Sequence, residues 1–143
     1  MNGARSRRKI GGVIWLKRAY EPATRADGRR ILVERLWPRG VKKADLKADA
    51  WLKDVAPSTE LRQWFAHRVE RWDEFRRRYV KELNAKPAEW APIVDASKQG
   101  TVTLLYSAHD VLHNGALVLR DYLAERQLRK RASSDRRSAK QND

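Results

Sequence analysis

The chain has 143 residues, 41% of them apolar, a formal net charge of +14 and no cysteine. That length suits one domain with a single hydrophobic core, and the apolar fraction excludes an extended disordered chain. The lack of thiols excludes disulfides, cysteine nucleophiles and thiolate metal sites, and no apolar run reaches the ~18–20 residues of a bilayer span.

The charge is uneven. Residues 1–10 carry Arg5, Arg7, Arg8 and Lys9 and no acid, and residues 129–143 carry six basic residues against Asp135 and Asp143. The two ends, 1–12 and 129–143, read as solvated basic tails that add nonspecific affinity for phosphate polymers. Between them, residues 13–128 read as the folded domain. The opening MNGARSRRKI has no apolar stretch behind its basic residues, which argues against a secretory signal and for a cytoplasmic protein.

In chain order, VIWLKRAY (13–20) is rich in strand formers, and Pro22, Asp27 and Gly28 make the next ten residues a turn-forming connection. ILVERLW (31–37) reads as a second strand ended by Pro38-Arg39-Gly40. Leu46, Ala50 and Trp51 predict a short helix over 44–55. After Pro57, Ser58-Thr59-Glu60 has the hydroxyls and acid of a helix start. The clearest helix is RWDEFRRRYVKEL, where Trp72, Phe75, Tyr79 and Leu83 form one apolar stripe. Another helix is predicted from Ala88 to Lys98, with Gly100 as a left-handed cap. TVTLLYS (101–107) is a continuous apolar run, as in a strand buried on both faces. A last helix over 115–127 has Val118, Leu119, Tyr122 and Leu123 on one side. The order predicts a small single α/β domain with a partly parallel sheet covered by helices.

Ligands of such sheets sit at the carboxyl ends of strands. One end here is RLWPRG, with Arg35, Trp37 and Arg39. The other is YSAHDVLHN, with Tyr106, Ser107, His109, Asp110, His113 and Asn114 ahead of a helix whose first N–H groups favour an anion. Guanidinium forks match phosphates and carboxylates, so the two loops predict an anion pocket. In it Arg35, Trp37, Arg39, Tyr106, Ser107 and Asn114 would bind, and His113 or His67 would transfer protons. Each residue has a plainer reading. Asn114 serves as a helix cap, Arg35 and Arg39 pair with Glu34 or Asp45, Trp37 plugs the core, and Tyr106 turns inward. His109 and His113 stand four apart, but no H-E-x-x-H frame accompanies them and a third ligand would have to come from His67, so neither metal nor other cofactor is assigned.

The segments KRAYEP, DGRRILVERLWPRGVKK, WLKDVAPSTELRQWFAH, RWDEFRRRYVKEL and GTVTLLYSAHDVLHNGALVLRDYL resemble, in that order, those of the YeaO-like family of bacterial domains of unknown function. The resemblance spans about Ile14 to Leu128. It implies a compact α/β fold in the bacterial cytoplasm and no particular reaction. The family's motif residues fall on Arg35, Trp37, Pro38, Arg39, Gly40, Ser58, Trp64, His67, Trp72, Tyr106, His113 and Asn114. A wider group of similar domains carries a His-Cys-His-Arg cluster near the last helix. This chain has His113-Asn114-Gly115-Ala116 there, which puts any thiol chemistry of those relatives in doubt.

Three functions remain open at this level. One is the anion pocket, taking a phosphorylated small molecule, a nucleotide or a nucleic-acid end, with histidine acid–base chemistry. The second is a non-enzymatic nucleic-acid-binding accessory protein acting through its basic surface and tails. The third is a protein-interaction module whose exposed tryptophans form a contact patch. No membrane partner is expected, and the oligomeric state is not legible.

Overall fold

Val102–Tyr106, the run that reads as doubly buried, is an inner strand of a four-stranded, wholly parallel sheet in the computed structural model, which describes residues 13–127. The strands are β1 (Ile14–Arg18), β2 (Arg29–Leu32), β3 (Ala50–Trp51) and β4 (Val102–Tyr106), in the order β1-β4-β2-β3. Ile14 pairs with Val102, Ile31 with Leu104, and Ile31 and Leu32 with Ala50 and Trp51. The helices are α1 (Lys43–Leu46), α2 (Thr59–Phe65), α3 (Trp72–Asn84), α4 (Pro87–Gln99) and α5 (115–127). The two basic tails lie outside the described residues.

Side chains alternate along each strand, and the two faces are covered differently. Ile14, Ile31, Val33, Val102, Leu104 and Tyr106 enter the larger core together with apolar residues of α2 to α5. Leu32 and Leu105 point the other way and meet Ala19 and Leu46 in a smaller core, beneath the 19–28 crossover and α1. Helix α3 buries Phe75, Tyr79 and Leu83, the stripe legible in its spacing. The Tyr79 hydroxyl donates to the Val55 carbonyl at 2.6 Å. Ser58 caps α2 by accepting the Leu61 N–H, and Glu82 accepts both the N–H and the hydroxyl of Ser58.

Three expectations are corrected. The second strand spans Arg29–Leu32 rather than 31–37. It leaves the ladder because Glu34 turns its carboxylate onto Ser107, and the chain then bends toward Gly40, whose φ is 77°. The helix over 44–55 is only α1. Lys47 adopts a left-handed conformation (φ 51°), and Ala50–Trp51 becomes strand β3. Asp49 directs this change: its N–H donates to the Arg30 carbonyl and its carboxylate accepts the Arg30 N–H, so pairing with β2 outweighs local helical spacing. Gly100 is extended (φ 162°), not left-handed.

Candidate functional site

Because β4 lies between β1 and β2, the segments leaving these three strands meet at one edge of the sheet. Glu34 joins two of them, accepting the Ser107 N–H at 3.0 Å and its hydroxyl at 2.7 Å. Arg18, at the end of β1, joins the third. Its Nε donates to the Ala108 carbonyl at 2.9 Å and its Nη2 to the Ser107 carbonyl at 3.1 Å, and Nη2 lies 3.5 Å from His109 Nδ1.

The rest of the loop folds around Asp110. One carboxylate oxygen accepts the N–H groups of Leu112 and His113, and the other lies 2.9 Å from His113 Nδ1. A carboxylate only accepts, so Nδ1 carries the proton in this pair. The Leu112 N–H first, and then the His113 imidazole, hold the Asp110 carboxyl below its ordinary pKa. The Asp110 carbonyl accepts the Asn114 amide, and Asn114 caps α5 through the Leu117 N–H at 2.9 Å. The His113 ring stands edge-on to Trp72 with centroids 5.2 Å apart.

The sequence-predicted residues are divided among several places. Arg35 grips the turn before α2, donating from Nε to the Pro57 carbonyl at 2.8 Å, with Asp54 at 3.4 Å. Trp37 donates to the Val41 carbonyl and packs edge-on against Trp51 in the smaller core. Arg39 is exposed, and among the described residues only its carbonyl is bound, by the Tyr20 hydroxyl. Tyr106 is buried, and burial pushes its hydroxyl pKa up. His67 is exposed beyond α2 with a φ of 59° and tilts against Phe65. Phe65 packs on Trp72, and Trp72 on His113, so two aromatic rings stand between the two histidines.

The edge therefore gathers Arg18, Glu34, Ser107, His109, Asp110 and His113. Arg18 was not singled out in the sequence, and Glu34 was named only as a partner for Arg35 or Arg39, whereas it binds Ser107 and Arg35 meets Asp54; both roles follow from which strands are neighbours. Glu34 and Asp110 occupy N–H donors that a bound anion would use. Ser107 Oγ is bonded to a carboxylate and not to an imidazole, which leaves it without the base that activates a serine nucleophile. A groove of about 360 Å³ lies between α3 and α5, and a shallow concavity of about 320 Å³ lies beside Trp15, Lys17 and Thr103. Neither is lined by Arg35, Arg39, His67 or His113. Among the described residues no group of three His, Asp or Glu side chains is placed to hold a metal, and no helix is long and apolar enough to cross a membrane.

Fold and edge define a small parallel α/β domain whose strand-end loop is closed by its own carboxylates. A family profile described as "Inactive DUF488-N3 subclade" matches residues 13–141. The chain belongs to this family. It is 49% identical over 110 residues to the uncharacterized protein YeaO of Escherichia coli, covering 77% of this chain and 96% of that protein. It is 41% identical over 110 residues to the uncharacterized protein Rv3073c of Mycobacterium tuberculosis, covering 77% and 92%. No solved structure matches the chain.

Proposed function

We propose that the protein is a non-catalytic accessory protein that binds a phosphate polymer through its exposed cations. The observation that carries this reading is the excess of unpaired basic residues in the first part of the folded chain. Residues 13–53, which hold three of the four strands, the crossover and α1, contain eleven basic and five acidic residues. Residues 54–127, which hold the four longer helices and β4, contain eleven of each. Arg25, Arg29, Arg39, Lys42, Lys43 and Lys47 are all exposed, and no acidic side chain among the described residues pairs with them. Cations of this kind release counterions when they meet phosphates and steer a polyanion toward the protein. The basic ends add to the same field. The description of the family as inactive, the missing cysteine and the self-satisfied loop support binding over catalysis.

The test is the triple variant Lys42→Glu, Lys43→Glu, Lys47→Glu, measured on oligonucleotide across a salt series. Its slope of log affinity against log salt is expected to fall by about 2–3, since each phosphate contact contributes ~0.9. The melting temperature should stay close to that of the wild type. A slope equal to the wild-type value would sink the reading, and so would binding that depends on the terminal segments alone.

A second reading, acid–base chemistry on a phosphorylated small molecule, rests on the 2.9 Å contact between Asp110 and His113, which orients the imidazole. His113→Gln separates the two. With His113 as a loop support, the substitution lowers the melting temperature by about 2–5 °C and leaves polyanion binding unchanged. Loss of a turnover activity at an unchanged melting temperature would favour the second reading.

A further inference from the structure

An edge strand turns half of its backbone groups outward, and on β1 these are only partly satisfied. The Val102 N–H donates to the Val13 carbonyl and the Ala19 N–H to the Tyr106 carbonyl. With the unbroken register of β1 on β4, Val13, Trp15, Lys17 and Ala19 therefore turn their backbone groups to β4, and Ile14, Leu16 and Arg18 turn theirs away. Arg18 is closed locally. Its N–H donates to the Glu21 carboxylate at 3.0 Å, and its carbonyl accepts the Glu21 N–H at 3.0 Å. Ile14 and Leu16 have no such partner among the described residues. The free edge is thus short and centred on Trp15.

The devices that keep natural edges apart are missing here. The strand has no proline and no bulge, Lys17 is turned onto Asp27 at 3.0 Å, and Arg18 reaches back to the Ser107 and Ala108 carbonyls. What stands beside the free groups is Trp15, 47% exposed and without a ring or hydrogen-bond partner among the described residues. This pattern is its own complement. In an antiparallel pair centred on Trp15, Ile14 of each copy lies opposite Leu16 of the other, which uses every free donor and acceptor of both. Trp15 then faces its own counterpart at the non-hydrogen-bonded position, where Cα atoms are ~4.5 Å apart and aromatic pairs pack best. Ile14 and Leu16 point into the larger core of their own copy, so no like charges meet. A longer foreign strand would run into Arg18 and Glu21, where the edge is already closed.

We infer that two copies of this chain pair through β1, joining their four-stranded sheets across a two-fold axis at Trp15. A ribbon this short, even with a tryptophan pair, buries less than the ~1,200 Å² of a stable interface, so the dimer is weak and forms at micromolar concentrations or above. It goes beyond the polyanion reading, does not depend on it and needs no nucleic acid to test. Sedimentation equilibrium of the full chain alone, in salt that screens the repulsion between two chains of +14, should show a monomer–dimer equilibrium. Trp15→Lys, which sets two ammonium groups against each other, should weaken it about tenfold and keep the melting temperature of dilute protein. Amide hydrogen exchange on the wild type locates the contact without a substitution. The Ile14 and Leu16 amides should exchange freely in dilute protein and become protected as the dimer forms, whereas those of Trp15 and Lys17, bonded to β4, should stay slow throughout. A chain that is monomeric at every concentration would overturn the inference. So would a dimer that leaves the Ile14 and Leu16 amides fast, which would place the contact elsewhere, as in the groove between α3 and α5. Amides already slow at the greatest dilution would overturn it too, since the chain's own terminal segments would then cover the edge.

Discussion

Asp27→Ala is expected to destabilise the fold by about 3–5 kcal/mol, the range for removing one member of a buried ion pair. Asp27 is 7% exposed and receives Lys17 Nζ at 3.0 Å, Arg30 Nη1 at 2.6 Å and the Thr24 N–H at 2.9 Å. Its own carbonyl accepts the buried Thr103 hydroxyl at 2.7 Å. Without the carboxylate, Arg30, itself 4% exposed, would keep only the Leu46 carbonyl as partner. Burial by itself pushes the Asp27 carboxyl up, but the Thr24 N–H, Lys17, the Thr24 hydroxyl and Arg30 outweigh it and hold the pKa at about 2, against 3.8 unperturbed. A depressed carboxylate pKa contributes stability that is fully present above pH 3.8 and is lost as the pH falls through about 2. That contribution is about 2 kcal/mol at neutral pH. Asp27→Asn, which mimics the protonated acid, should therefore cost about that much at pH 7. Its deficit relative to wild type should shrink below pH 3.8 and close near pH 2. Denaturant titrations across pH measure this, and a deficit independent of pH would show that the charge is not what Asp27 contributes.

Gly28→Ala is expected to cost about 4 kcal/mol, combining a strained backbone with a clash in a packed region. Gly28 has φ 62° and ψ −134°, a combination open to glycine and strained for any residue with a Cβ. A Cβ there would lie 2.2 Å from the Thr101 carbonyl oxygen, which cannot retreat easily because it accepts the Arg29 N–H at 2.9 Å. The crossover is pressed against β4 at this point, and Thr103 bonds it one step further on. Gly100→Ala is the control. That residue is extended and has open space around its Cβ position, so the change should be neutral within ~0.5 kcal/mol or slightly stabilising. Melting temperatures of the two variants that agree within a degree or two would contradict this account of the crossover.

Local pattern carried far where one element satisfies its own needs. The stripe Trp72, Phe75, Tyr79 and Leu83 specified α3, the apolar run before Ser107 specified β4, and Ser58 and Asn114 were recognisable as caps. A helix closes its hydrogen bonds within itself, so its periodicity and its ends can be read in sequence. Residues 44–55 show the converse. Leu46, Ala50 and Trp51 have helical spacing, yet Leu46 ends α1 while Ala50 and Trp51 pair with Ile31 and Leu32. A strand's partners lie elsewhere in the chain, and a two-residue strand leaves no periodic trace.

The same distinction governs the candidate site. Charge, the absence of thiols and the loop composition were all legible, and they excluded a cysteine nucleophile. Strand order was not. Asp110 closes the loop locally, but only once β4 lies between β1 and β2 do Arg18 and Glu34 complete the closure of a loop that reads, in sequence, as open to a ligand. The same order leaves Trp15 exposed on an edge strand, and Arg35 turns to the Pro57 carbonyl. Which donor meets which acceptor depends on contacts between residues up to 91 positions apart, such as Arg18 and His109. Residue type fixes what each group is able to bind, and the folded arrangement selects the partner it has.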